Sequence, residues 1–317
     1  MYIDVMWLVV GFFLLIKGAD WMVSGASSLA ARFKVSGLII GLTVVAFGTS
    51  APELVVNLMA SVHHHTDIVF GNILGSNIFN LFVILGVVAM ISPFAVQRET
   101  IWKEIPISLV MTVLVLVLAN GYWSQSGGVG LSRVEGGLLL LGFLLFVLYI
   151  IRQSRAGEAL TDLELPAYSA SRSVIYVLLG LAGLIIGGQV VVDHAVHIAN
   201  RAEIPERIIG LTIVAVGTSL PELVTSVVAA LKKQSDMAIG NIVGSNIFNL
   251  TLVLGGSATI FPVTYNTAFN IEFYLLMGGT MWVLMSMLTG QRKKMDRWEG
   301  GLLALVFIIY TVWMVMN

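Results

Sequence analysis

Residues 41–61 read GLTVVAFGTSAPELVVNLMAS, and residues 210–230 read GLTIVAVGTSLPELVTSVVAA. Each is an apolar stretch of the length that crosses a bilayer, which takes about 20 residues. Each also carries one acid near its middle, Glu53 in the first and Glu222 in the second. A second pair follows at the same offset of 169 residues: GNILGSNIFN at 71–80 and GNIVGSNIFN at 240–249, differing at a single position. The echo continues weakly where Arg133-Val-Glu-Gly-Gly recurs as Arg297-Trp-Glu-Gly-Gly. The chain is therefore two copies of one unit.

Outward from these motifs, apolar segments predict helices at about 5–31, 37–62, 68–91, 104–120 and 132–151. A second set falls at about 173–200, 206–231, 237–261, 270–289 and 297–316. The expected organisation is a first five-helix repeat at 1–151, a cytoplasmic connecting loop at 152–172 holding Asp162, Glu164 and Pro166, and a second repeat at 173–317. Five is odd, so the second copy enters the membrane from the opposite side. The expected fold class is an all-α integral membrane protein of ten transmembrane helices, two inverted repeats with broken helices at a central site. That architecture recurs in secondary transporters, whose substrate sites lie near the midplane where the repeats meet.

Composition agrees. Of 317 residues, 57% are hydrophobic and 11% charged, against about 25% charged in soluble domains; mean hydropathy is +0.93. A net charge of −1 gives no basic surface for nucleic acid, and the absence of cysteine excludes disulfides and thiolate metal sites. The first apolar segment is too long for a signal core, carries Lys17 and Asp20, and has a counterpart near 173–200, so it reads as a retained helix. With the N-terminus outside, thirteen Lys and Arg fall in inner loops, while Arg133, Arg201 and Arg207 fall in outer ones. The positive-inside rule then puts both termini on the outer side of the cytoplasmic (inner) membrane.

Charge inside a bilayer is costly, about 2.5–3.5 kcal/mol for an aspartate on insertion scales. Glu53 and Glu222 must face an interior cavity, and neither segment supplies a Lys or Arg to balance them. A bound cation is the partner that remains. Pro52 and Pro221 lack an N–H, which deprives Gly48 and Gly217 of a helical hydrogen-bond donor and opens the backbone there. Thr49 and Ser50 precede Glu53 by four and three residues and share its face; Thr218 and Ser219 do the same for Glu222. Asn72, Ser76 and Asn80 form a polar stripe at spacing four, mirrored by Asn241, Ser245 and Asn249. For Asn72 and Asn241 helix–helix hydrogen bonding is the competing role. The donor set is all oxygen, with no imidazole or sulfur, which suits Ca2+ and its 6–8 oxygen ligands and disfavours zinc or copper.

These motifs, GTSAPE with GNILGSNIFN and GTSLPE with GNIVGSNIFN, resemble the paired alpha repeats of the calcium/cation antiporter superfamily, in its sodium/calcium exchanger branch and the bacterial members of that branch. The resemblance covers essentially the whole chain. It implies ten helices, alternating access, and a central site for several Na+ or one Ca2+. By motif position it implies Glu53, Glu222, Thr49, Thr218, Ser50, Ser219, Ser76, Ser245, Asn80 and Asn249 as ligands, joined by the backbone carbonyls of Ala46 and Ala215. Some relatives, including potassium-dependent ones, have Asp where this chain has Asn249, which argues against potassium co-transport. The 152–172 connection is too short for the calcium-sensing domains of animal exchangers.

The expected activity is antiport of Ca2+ against Na+, with no enzymatic step, no cofactor and no obligate protein partner. The lipid bilayer is the surroundings, and protons compete at the two acids. The alternative is a Ca2+ (or other cation)/H+ antiporter using the same glutamates. A passive channel is a further rival, as is an intramembrane hydrolase, for which the motif serines lack a neighbouring histidine. Elsewhere, His63–His65 read as a solvated outer loop and Lys17 and Asp20 as packed residues on one helix face, while a proton path or entry lined by Asp193, His194 and His197 is the less favoured reading. Trp123, Trp282, Trp298 and Trp313 read as interface anchors.

Overall fold

The computed structural model describes residues 2–95, 100–121, 129–155, 168–202, 215–289 and 294–316. Helices dominate: α1 Tyr2–Phe33, α2 Gly37–Thr49, α3 Ala51–Val62, α4 Thr66–Ile91, α5 Ile105–Ala119 and α6 Arg133–Arg155. They continue with α7 Ala170–Arg201, α8 Ala215–Thr218, α9 Leu220–Leu231, α10 Ser235–Ile260, α11 Asn270–Thr289 and α12 Arg297–Met316. Eight of the described helices are long and apolar enough to cross a membrane, or nine if α2 and α3, bent by 46° at their break, count as one span. The protein is a multi-pass membrane protein.

Helix bounds differ from the sequence expectation mainly at polar ends. α6 runs on to Arg155 and α7 begins at Ala170, because charged and hydroxyl residues can continue a helix into water once the apolar span ends. The connection is accordingly shorter than 152–172, and Asp162, Glu164 and Pro166 lie outside the described residues, as do Trp123 and positions 206–214 of the expected seventh helix.

Several helix pairs approach closely where glycines face one another, two of them beside or near the site. A Cβ added at Gly18 would lie 2.8 Å from the carbonyl oxygen of Gly180, binding α1 to α7 along their length. A Cβ at Gly41 would lie 2.5 Å from the Met237 carbonyl oxygen, so α2 and α10 pack backbone to backbone beside the site. In lipid such small-residue contacts replace the hydrophobic drive that water would provide.

The weak Arg-x-Glu-Gly-Gly echo marks two helix starts. The Ser132 N–H donates to Glu135 at 2.7 Å, and the Glu135 N–H donates to the Ser132 hydroxyl at 3.3 Å, a capping box at the head of α6. The Asp296 N–H donates to Glu299 at 2.7 Å at the head of α12. Short strands tie the loops at either end. β1 Phe94–Ala95 pairs antiparallel with β4 Lys294–Met295, and β2 Gly130–Leu131 pairs with β3 Val263–Thr264.

Candidate ion-binding site

The break between α2 and α3 falls at Ser50, two residues before Pro52, and the break between α8 and α9 falls at Ser219, two before Pro221. Each proline sits in the first turn of the following helix, where its missing N–H leaves no internal bond unmade. The breaks set Thr49, Ser50 and Glu53 of one repeat opposite Thr218, Ser219 and Glu222 of the other.

The halves interlock by exchange. Ser50 Oγ donates to Glu222 Oε1 at 3.1 Å, and Ser219 Oγ donates to Glu53 Oε1 at 3.2 Å. Thr49 Oγ1 donates to Asn241 Oδ1 at 3.0 Å, and Thr218 Oγ1 donates to Asn72 Oδ1 at 3.3 Å. Asn80 Nδ2 donates to Asn246 Oδ1 at 3.1 Å, and Asn249 Nδ2 donates to Asn77 Oδ1 at 3.0 Å. Every bond links the first repeat to the second, and each has a partner at the 169-residue offset.

The hydrogens of all four hydroxyls are committed in these contacts, which leaves oxygen lone pairs. Glu53 and Glu222 are 0% and 1% exposed. Six buried oxygens at the expected positions have no hydrogen-bond donor: Glu53 Oε2, Glu222 Oε2, Ser76 Oγ, Ser245 Oγ, Asn80 Oδ1 and Asn249 Oδ1. Buried polar atoms are ordinarily partnered, so six oxygens, carboxylate, hydroxyl and amide, paired by repeat symmetry, fit a hard cation. Among the described residues no Lys or Arg forms an ion pair with either glutamate.

Asn241 is placed differently from the other expected ligands. Its Oδ1 is taken by Thr49 and its Nδ2 donates to Ser226 at 3.0 Å, so it braces helices. Asn72 Oδ1 is likewise taken by Thr218. The Ala46 carbonyl accepts the Ser50 N–H at 3.0 Å and lies 3.4 Å from the Thr49 hydroxyl; Ala215 opens α8.

Spacing-four reasoning passed over Asn77 and Asn246. They lie inside the quoted motifs, one residue beyond Ser76 and Ser245, and their amides cross-bond to each other's backbone at 3.2 and 3.4 Å. π-helical turns at Phe79–Ile84 and Asn249–Val253 rotate the following side chains off the ordinary phase, a feature frequent at functional sites. Asn57, one turn beyond Glu53, is also buried, and neither its Oδ1 nor its Nδ2 has a hydrogen-bond partner.

One expectation outside the centre is corrected. Asp20 is not merely packed beside Lys17: it pairs with Lys232, Nζ to Oδ1 2.6 Å, while Lys17 is exposed. His194 and His197 gather around Asp4 rather than Asp193, which is exposed. His63–His65 are exposed in the turn between α3 and α4, as expected.

The sequence model for "Sodium/calcium exchanger protein" matches residues 3–152 and 172–316. The chain belongs to the sodium/calcium exchanger family. Among relatives of this exchanger-family chain is "Putative antiporter CaxA" of Alkalimonas amylolytica, 40% identical over 98% of each chain. Another is "Sodium/calcium exchanger MaX1" of Methanosarcina acetivorans, 31% identical over 96% of each. The solved structure of "the sodium-calcium exchanger NCX_Mj", soaked with 10 mM Na+ and zero Ca2+, superposes with a TM-score of 0.83 at 32% identity, covering 98% of each chain. The exchanger fold, the interlocked repeats and the family together make this protein a cation antiporter of the calcium-transporting kind.

Proposed function

We propose that this exchanger carries Ca2+ in one direction against Na+ in the other, at the central oxygen cluster around Glu53 and Glu222. The observation that carries the reading is the set of six donor-less buried oxygens, three from each repeat. Two carboxylates offer −2 to a single Ca2+ and neutralise it; several Na+ can occupy the same oxygens in its absence. Hydroxyls of Thr49, Ser50, Thr218 and Ser219 and the carbonyls of Ala46 and Ala215 complete the proposed coordination, with Asn72 and Asn241 holding the threonines in place.

Coupling follows from electrostatics. A doubly negative empty site resists crossing a low-dielectric barrier, so the carrier changes its open side only when loaded. Ten transmembrane helices in two inverted repeats, alternating access between the two sides, and both termini on the outer face belong to the same proposal. Supporting it are the reciprocal contacts at the 169-residue offset and the distribution of basic residues between loops.

The test is uptake of radiolabelled calcium into proteoliposomes loaded with sodium, with potassium, or with acid. Uptake that depends on internal sodium is the expected result. Uptake requiring an acid interior would establish proton antiport, and equal uptake into all three would establish a channel.

A further inference from the structure

A second group of metal-capable side chains lies outside the central cluster, where the N-terminal end of α1 meets the C-terminal end of α7. Asp4 is buried in the first turn of α1, and His194 and His197 project from one face of α7 at spacing three. His194 Nδ1 is 3.3 Å from Asp4 Oδ1, and His197 Nδ1 is 3.8 Å from the same oxygen. The three ligand atoms lie within 4.8 Å of one another. A tetrahedral zinc ion with bonds of about 2.0–2.2 Å sets its ligands about 3.4 Å apart, so this trio needs only small adjustments to hold one.

The surroundings orient the trio. Asp4 Oδ2 is engaged by Arg201 Nη1 at 3.2 Å, which turns Oδ1 toward the imidazoles. The Trp7 ring stacks on His194, centroids 5.8 Å apart and planes within 5°. Such partners of a ligand fix its orientation. The donors also stand on two helices locked together through the Gly18–Gly180 contact, and rigid elements make precise sites. His197 is 63% exposed, so water reaches the group and can supply a fourth ligand.

We propose that Asp4, His194 and His197 bind a divalent first-row transition metal, which clips the end of α1 to the end of α7. Two imidazoles with one carboxylate suit zinc, nickel or cobalt, in contrast to the all-oxygen centre that suits calcium. The competing arrangement is an ion-pair network alone, with Arg201 among the cations that Asp4 keeps. The two differ in sign at Arg201: its charge opposes a bound metal and supports an ion-pair network.

Zinc is the probe, titrated calorimetrically into the purified full-length chain carrying no histidine tag, without calcium, with thermal melting to verify folding. His197→Ala, a change at an exposed position, is expected to weaken zinc binding at least tenfold, and His194→Ala with His197→Ala to abolish that site. R201Q is expected to bind zinc more tightly than the unaltered chain. The paired Glu53→Gln and Glu222→Gln variant, and alanine at His63, His64 and His65, are expected to keep it. Unchanged binding without His194 and His197 would overturn the proposal, as would a loss confined to the glutamate or His63–His65 variants, or weaker binding in R201Q.

Discussion

Ser219 donates its hydroxyl hydrogen to Glu53 across the boundary between the two repeats, 3.2 Å from oxygen to oxygen. The same contact, with the repeats exchanged, joins Ser50 to Glu222 at 3.1 Å. Each acid is thus aimed by the opposite half of the molecule. One oxygen of each carboxylate is held and the other has no donor. A cation at the centre would be gripped by both repeats at once, so its binding free energy is shared with the packing of one repeat on the other.

Glutamine at either acid keeps the side-chain shape and removes the charge. Contacts to a charged group are worth about 1.5–3 kcal/mol each, or roughly ten- to a hundredfold in affinity. Glu53→Gln and Glu222→Gln are each expected to cut calcium uptake into proteoliposomes at least tenfold, with protein yield and gel-filtration behaviour preserved. A variant that transports at the full rate would remove that acid from the proposed site.

Ser50→Ala and Ser219→Ala probe aim rather than charge. Each removes one hydrogen bond to a carboxylate, and the expected loss in calcium affinity is about five- to tenfold, near 1 kcal/mol. Because each serine orients the opposite glutamate as well as offering its own oxygen, Ser219→Ala should have a smaller effect in Glu53→Gln than in Glu222→Gln. A double-mutant cycle on calcium affinity reads this directly. Equal effects in both backgrounds would mean the serines do not orient the acids.

The repeat motifs made the central site legible because their residue types occur twice at one offset, and a paired acid without a basic partner in a membrane admits few explanations. Helix positions followed from apolar length alone. Asn77 and Asn246 were missed for a geometric reason: the spacing-four stripe selects a single helix face, and each stands one residue, about 100°, off that face, where it meets the opposite repeat. The Asp20–Lys232 pair was missed for a topological one. Lys17 stands three residues from Asp20, but the real partner is 212 residues away, carried in on α1's contact with α9. In the same way, Asp193 neighbours His194 in sequence while Asp4 neighbours it in space.

Acid is expected to inhibit exchange. A proton on Glu53 or Glu222 takes a lone pair and cancels a charge that calcium requires. The sign is therefore fixed: calcium uptake driven by a sodium gradient falls as pH goes from about 8 to 5.5, and raising calcium restores it. A profile that stays flat over that range would contradict proton competition.

Lys232→Ala removes the charge facing Asp20. Both side chains are partly exposed, 31% and 44%, and the ammonium also donates to Ser24 at 2.8 Å. Pairs of this exposure contribute about 1 kcal/mol or less. Thermal melting of the variant should shift by a few degrees at most, and calcium uptake should persist. Loss of folding would show that the pair is a principal tie between α1 and α9.

Gly18→Val tests the contact that joins α1 to α7. A Cβ alone would lie 2.8 Å from the Gly180 carbonyl oxygen and 2.8 Å from the Leu184 nitrogen, both of them backbone atoms that cannot swing aside. The helices would have to separate, and overpacking of this kind costs about 1–3 kcal/mol. The expected outcome is a lower melting temperature in detergent, with a smaller effect for Gly18→Ala. Gly137→Ala serves as the comparison, because a Cβ there meets nothing within 4 Å. If Gly18→Val melts with the unaltered chain, the helices are not held by close backbone approach, and the rigidity attributed to the α1–α7 pair has another source.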